Sequence, residues 1–201
     1  KKHLTHISKI NPIDNKSFLS MDRFTISNLE LINSKFPGGK SVLDIIDKTM
    51  TPMGSRLLRR WLCFPSIDLN EIQFRYDIVE ELVKLSSPNL VERYNSIIDI
   101  ERVVSKITNY KVNPRELLSF KLSLLKVDEI KKELNNASKN LKLLSKKFRD
   151  SNKVVQLIEK NLFDESPVNI NKGNVIKNGI NVMFLLLELY PQFEIKSVPI
   201  S

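Results

Sequence analysis

The sequence predicts an all-α protein, a multi-helix domain of amphipathic helices joined by short, proline-marked links. Two observations predict it. Apolar residues recur at three- and four-residue spacing along most of the chain. Helix starts are written out as a capping residue followed by proline, at Thr51-Pro52 and at Asn113-Pro114-Arg115-Glu116. Helices of this kind pack antiparallel or at shallow angles around a shared core.

Length and composition bound the rest. A chain of 201 residues can bury one good core, or one domain and part of a second. Lys and Arg number 32 against 23 Asp and Glu, a net charge of +9. That excess suits a polyanionic partner, nucleic acid or a membrane surface. It suits equally a Lys-rich composition that only solvates helices. Cys63 is the single cysteine, so no internal disulfide is expected and a reducing compartment is. Its place between Leu62 and Phe64 reads as packing rather than reactivity. No apolar leader follows the Lys-Lys-His start, and the longest apolar run, 182–187, is too short to cross a bilayer. No initiator Met is present, and the chain reads as a piece of a longer polypeptide.

Residues 1–20 are polar and read as the exit from a preceding domain. His3 and His6, with only Asp14 as a nearby acid, do not make a metal site. Further on, Phe24, Asn28, Leu31 and Ile32 fit one helical face, and equally a short turn followed by a helix. Pro37-Gly38-Gly39 breaks the chain. Gly38-Gly39-Lys40-Ser41 invites a phosphate-loop reading that fails, because Ser34 stands where the pattern needs its first Gly.

Residues 42–65 hold the most legible helix. Thr51 caps it, Pro52 takes the first helical position, and Pro65 ends it. Met53, Leu57, Leu58, Trp61 and Leu62 share one face, which reads as buried, with Arg56, Arg59 and Arg60 around the other sides. Gly54 weakens the first turn by roughly 1 kcal/mol relative to Ala, and close approach of another backbone is one reason for it.

Asp68 and Glu71 form a capping-box pattern. It opens a helix whose core face is read as Ile72, Tyr76, Val79, Leu82 and Val83, ending near Ser86-Ser87-Pro88. A further helix is expected over about 89–107, with Ile100, Val103, Val104 and Ile107 as its stripe. Asn113 and Glu116 open a long helix to about Asn135, with Leu117, Phe120, Leu124, Val127 and Leu134 along one side. Two more runs follow, at 139–149 and 152–162. Residues 166–180, with Pro167, Gly173 and Asn178-Gly179, read as a loop or loose hairpin. Residues 182–190 are apolar nearly all round.

Several ordered blocks together resemble the core, or lever, region of the MutS family of DNA mismatch-repair proteins. They are Leu43-Asp44-Ile45-Ile46-Asp47-Lys48-Thr49, Thr51, Met53-Gly54, Arg56, Leu58-Arg59-Arg60-Trp61-Leu62 and Pro65. Ile72, Arg75, Val79 and Leu82 continue the match. Met21-Asp22, Thr25 and Asn28-Leu29-Glu30-Leu31 are similar to the entry into that region. Asp99-Ile100-Glu101-Arg102 and Asn113-Pro114-Arg115-Glu116-Leu117 are similar to its next two markers. Ser27 stands where the family usually has Arg, and Ser166 and Asn174 depart from its usual Pro-Pro and Gly-Gly pairs. From Asn181 onward the family's acidic lever helix is not recognisable.

The resemblance implies residues 1–17 as the end of a connector domain and 18–180 as the helical core. Residues 181–201 would be the start of a lever toward the DNA clamp, or a divergent tail. It implies a scaffold that does no chemistry itself and joins mismatch and clamp DNA binding to an ATPase domain. No catalytic, cofactor-binding or metal residue is then expected here, with ATP and Mg bound elsewhere in a full-length member. The implied partners are mismatched double-stranded DNA, a second copy of the protein and a MutL-type repair protein, in the bacterial cytosol or nucleoid. Candidate structural or interdomain residues are Thr51, Pro52, Gly54, Arg56, Arg59, Arg60, Trp61, Asp99, Glu101 and Arg102. The arginines of the helix are read as braces, and Asp99, Glu101 and Arg102 as an ion-pair cluster. The alternative is a basic helical module that binds nucleic acid or protein without mismatch specificity. For it, Lys139, Lys142, Lys146, Lys147 and Arg149 are the candidate phosphate contacts.

Overall fold

The computed structural model describes residues 17–162. The expected connector end, the loop at 166–180, the stretch 181–201 and the pair His3 and His6 lie outside the described residues, as does all but Ser17 of residues 1–17. Within them the chain is all-α, with nine helices and one isolated antiparallel bridge, Phe18 with Ser66. It forms two compact units. The first holds the described residues up to Lys48 together with Arg56–Tyr76, and the second holds Thr49–Ser55 and the chain from Asp77 onward.

In the first unit, Asp22 caps α1 (Arg23–Asn28), accepting from the Thr25 N–H at 2.6 Å. Neither expectation for this stretch is found: the helix comes first and ends at Asn28, with Leu31 and Ile32 in the turn that follows it. Glu30 then takes a left-handed conformation at φ 48°. Its carbonyl and that of Leu31 accept from the N–H groups of Val42 and Leu43, both at 3.0 Å. Gly38 turns the chain at φ +76°, and a Cβ on Gly39 would stand 2.2 Å from Ser34 Oγ. Ser41 then caps α2 (Val42–Ile46) in a reciprocal box with Asp44. Leu19 N–H to the Pro65 carbonyl and Ile67 N–H to the Ser17 carbonyl flank the isolated bridge.

Helix α3 (Pro52–Cys63) begins and ends where the sequence places it, with Thr51 Oγ1 accepting from Gly54 N–H at 3.1 Å. Its burial differs from expectation. No residue of α3 is buried, and Leu57 and Trp61 are 46% and 39% exposed. Spacing identifies an apolar face, but burial needs a covering surface, and only Met53, Leu58 and Leu62 of that face are partly covered. Gly54 is also explained differently. A Cβ there would meet the side chains of Thr49 and Thr51 at 3.2 Å, not another backbone.

Helix α4 (Leu69–Leu85) shows a second difference. Tyr76, Val79 and Val83 are exposed, while Ile78, Leu82 and Leu85 pack into the core of the second unit. Of the expected core face Leu82 packs as read, but the helix carries apolar residues on two sides and periodicity alone does not separate Tyr76, Val79 and Val83 from Ile78 and Leu85. Its start differs too. Asp68 accepts from Asn70 N–H at 2.9 Å, and the Glu71 carboxylate is taken by the Ser66 hydroxyl and the Arg75 guanidinium.

The single helix expected at 89–107 is two, α5 (Pro88–Asn95) and α6 (Ile100–Thr108). Asp99 breaks the run by capping α6, its carboxylate accepting from Arg102 N–H at 3.1 Å. Between the helices Ile97 is buried, and Ile98 N–H donates to the buried Ser123 hydroxyl at 3.1 Å. That bond is the partner the broken backbone requires. Tyr110, at φ 55°, closes α6, with Lys111 N–H reaching back to the Lys106 carbonyl.

Helix α7 (Pro114–Asn135) organises the second unit. Asn113 and Glu116 form the predicted reciprocal box, with Pro114 at the first position. At 22 residues it is about 33 Å long. Its front half packs Leu117, Phe120 and Leu124 against Val103 and Ile107 of α6 and Val154, Val155 and Ile158 of α9 (Asn152–Asn161). Its back half packs Ile130 and Leu134 against Leu90 of α5, Ile97 and Leu141 of α8 (Lys139–Ser145). One helix thus serves two cores placed end to end along it.

Candidate functional site

Among the described residues no group of three or more His, Cys, Asp or Glu could hold a metal ion. No described helix is long and apolar enough to cross a membrane. The Gly-Gly-Lys-Ser stretch does not fit a phosphate. Ser41 is fully buried, its hydroxyl and N–H both donate to the Asp44 carboxylate, and its oxygen accepts from the Asp44 N–H. The Ser41 hydroxyl and N–H hold Asp44 below the ordinary carboxylate range.

The first unit presents an apolar and aromatic surface. Leu57, Trp61, Phe64, Ile67, Leu69 and Tyr76 are all exposed, and no described hydrophobic residue of this unit is fully buried. Trp61 is fixed by chemistry rather than by burial. The Arg75 guanidinium lies over its ring, 4.0 Å from the centroid. Such a contact contributes about 0.5–1 kcal/mol at an exposed site. Arg75 also pairs with Glu71, which accepts from Ser66 next to the bridge. A polar ladder therefore joins the end of α3, the bridge and the start of α4. Cys63 is half-buried at the end of α3.

The candidate residues divide by role. Thr51, Pro52 and Gly54 shape the start of α3. Arg56, Arg59 and Arg60 are exposed along it. Asp99 is a helix cap, and Glu101 lines an apolar groove of about 610 Å³ floored by Ile100, Val104, Leu124, Val127 and Val154. Arg102 stands close enough to Glu116 to lower that carboxyl. Lys106 pairs with Glu116 between α6 and α7. Lys139 and Lys142 are exposed on α8, and Lys146, Lys147 and Arg149 are exposed in the turn after it. Acids interrupt this basic stripe. A hollow of about 380 Å³ places Lys131, Lys132 and Lys146 together with Asp128 and Asp150.

Sequence reasoning missed the long-range polar contacts. Arg93 on α5 pairs with Glu129 and Glu133 on α7, and the Ser87 hydroxyl donates to Glu133 at 2.6 Å. Glu81 on α4 serves the start of α8. No local spacing reveals such pairs, because the partners lie 36 to 60 residues apart.

These carboxylates make an expected pH dependence. The Ser66 hydroxyl chiefly lowers Glu71, with Arg75 adding to it against burial. The Ser138 hydroxyl does the same for Glu81, and the Lys126 ammonium for Glu129. Burial raises Glu116, but the Lys106 ammonium and the Asn113 N–H bring it below the ordinary range. All four lie under the ordinary 4.5, so the unfolded chain binds protons first as pH falls. Their contribution is complete above 4.5 and is lost as pH drops through the folded values. Thermal melts should give a Tm that is flat down to about pH 5 and falls below it. A Tm unchanged at about pH 3 would rule the carboxylate network out as a source of stability.

The family model described as MutS domain III matches residues 24–197. The chain is 37% identical over 183 residues to a protein of Cytophaga hutchinsonii named DNA mismatch repair protein MutS, covering 90% of this chain and 21% of that protein. It is 38% identical over 188 residues to the MutS protein of Caldanaerobacter subterraneus, covering 91% and 22%. It is 39% identical over 181 residues to that of Flavobacterium johnsoniae, covering 88% and 21%. The chain thus spans about a fifth of the length of the curated relatives it matches.

Proposed function

This chain belongs to the MutS family, as its domain III, and from that premise we propose that it is the helical scaffold of a DNA mismatch-repair ATPase. In this reading residues 18–180 form a core that couples mismatch and clamp DNA binding to a nucleotide-binding domain elsewhere in the polypeptide. The segment does no chemistry. ATP and Mg act in that other domain, and the complete protein binds mismatched double-stranded DNA as a homodimer in the cytosol and engages a MutL-type partner.

The observation that supports the scaffold reading best is the exposed apolar surface of the first unit. Contiguous exposure of large apolar side chains marks a surface that another protein element covers. Leu57, Trp61, Phe64 and Tyr76 are each exposed on this unit. Arg56, Arg59 and Arg60 would brace the same contact, their stems lying along apolar surface and their guanidinium groups pairing with acids of the neighbour. Lys139, Lys142, Lys146, Lys147 and Arg149 are the secondary phosphate contacts within this reading.

Hydrogen exchange tests it. Amides of residues 56–76 are expected to exchange more slowly in the complete polypeptide than in this chain alone, and to change again when ATP is added. Identical rates in the two would remove the scaffold reading. Protection that ignores ATP would leave a scaffold without the coupling.

A further inference from the structure

Helix α8 has seven residues, too few to hold itself together in water. Its own N-cap residue, Ser138, makes no side-chain cap bond. The donors of its first turn are met from α4 instead. Glu81 accepts from the Ser138 hydroxyl, from Asn140 Nδ2 at 2.9 Å and from the Leu141 N–H at 3.0 Å. One carboxylate, 60 residues away in sequence, thus satisfies three donors and places a negative charge at the positive end of the helix.

α8 also packs along α7, with Leu141 beside Ile130 and Leu134. Leu141 and Ser145 are its buried residues, and Leu144 and the following Phe148 are only partly covered. The turn that follows matters to its surroundings. Residues 148–151 form one wall of the apolar groove whose floor lies on α6, α7 and α9. At the far end of this wall the Ser151 hydroxyl donates to Asp128 at 3.2 Å, and the Ser151 carbonyl accepts from the Val154 and Val155 N–H groups of α9.

We propose that Glu81 is a latch. Its carboxylate holds α8 on the back half of α7, and its release lets α8 and the turn to residue 151 undock as one unit. The undocked unit carries away Lys139, Lys142 and Lys146 and opens the groove on the side of Phe148. α6, the front half of α7 and α9 stay in place, because their own cluster contains no residue of α8.

Hydrogen exchange on the full chain with Glu81→Gln tests the latch, since the variant keeps the side-chain size and removes the charge and one acceptor. Amides of residues 141–147 should exchange about ten-fold faster, the usual consequence of losing a cap. Those of α6 and α9 should not change. Ser138→Ala should accelerate the same amides less, and should add little to Glu81→Gln, because both act through one carboxylate. Unchanged rates at 141–147, equal acceleration throughout the chain, or full additivity of the two variants would each overturn the proposal. If Glu81→Gln does not fold, Ser138→Ala and Asn140→Ala carry the test: selective acceleration supports the latch, and none refutes it.

Discussion

Phe120→Ala is expected to destabilise the chain by about 3–5 kcal/mol, the usual range for removing a buried phenyl ring. Phe120 is fully buried and sits among Ile107, Leu117 and Ile158, three side chains that are themselves inaccessible to water. They belong to three different helices or turns of helix, all already packed, so the hole cannot close by a small shift of one neighbour. Against a total stability of about 5–15 kcal/mol for a domain, that loss leaves little. A urea titration followed by circular dichroism reads it as a lower midpoint with an unchanged slope. A loss below about 1 kcal/mol would mean that the ring is not enclosed as described.

Leu134→Ala should cost about 2–5 kcal/mol through the other cluster, where Leu134 is 1% exposed beside Ile130 and Leu141. Its second use is in combination. Leu134 lies fourteen residues beyond Phe120 on α7, about 21 Å along the axis, and the two share no cluster. The losses should therefore add to within about 0.3–0.5 kcal/mol. Both variants in a stabilised background, measured singly and together by the same titration, decide this. Strong non-additivity would show that the clusters form one core through α7.

Much of this fold was legible because its signals are local. The Asn113, Pro114 and Glu116 start of α7, the Thr51 and Pro52 start of α3 and the apolar stripe of α6 all act within one or two turns, and the structure contains each. The misreadings also have a common cause. The single helix expected over 89–107 is two, because the Asp99 side chain accepts from a backbone N–H and starts α6 afresh. On α4, Tyr76, Val79 and Val83 and the packed Ile78, Leu82 and Leu85 are two apolar faces, and only contact with α5, α7 and α8 selects between them. For the candidate site, spacing put Trp61 on a face read as buried, and its Arg75 partner lies fourteen residues on, beyond the reach of any local pattern. Glu81 carries no local signature at all.

The arrangement of two clusters on one helix sets what lengths of chain evolution can use there. Each residue added to α7 turns everything beyond it by about 100° and advances it by about 1.5 Å. A one-residue deletion between Leu124 and Ile130 would swing Ile130 and Leu134 out of their cluster while Leu117 and Phe120 stayed in theirs. Insertions of seven residues, two near-complete turns, keep the phase and move the clusters about 10 Å apart. Length change in α7 should therefore come in whole heptads, whereas the exposed turn at 146–147 can absorb single residues.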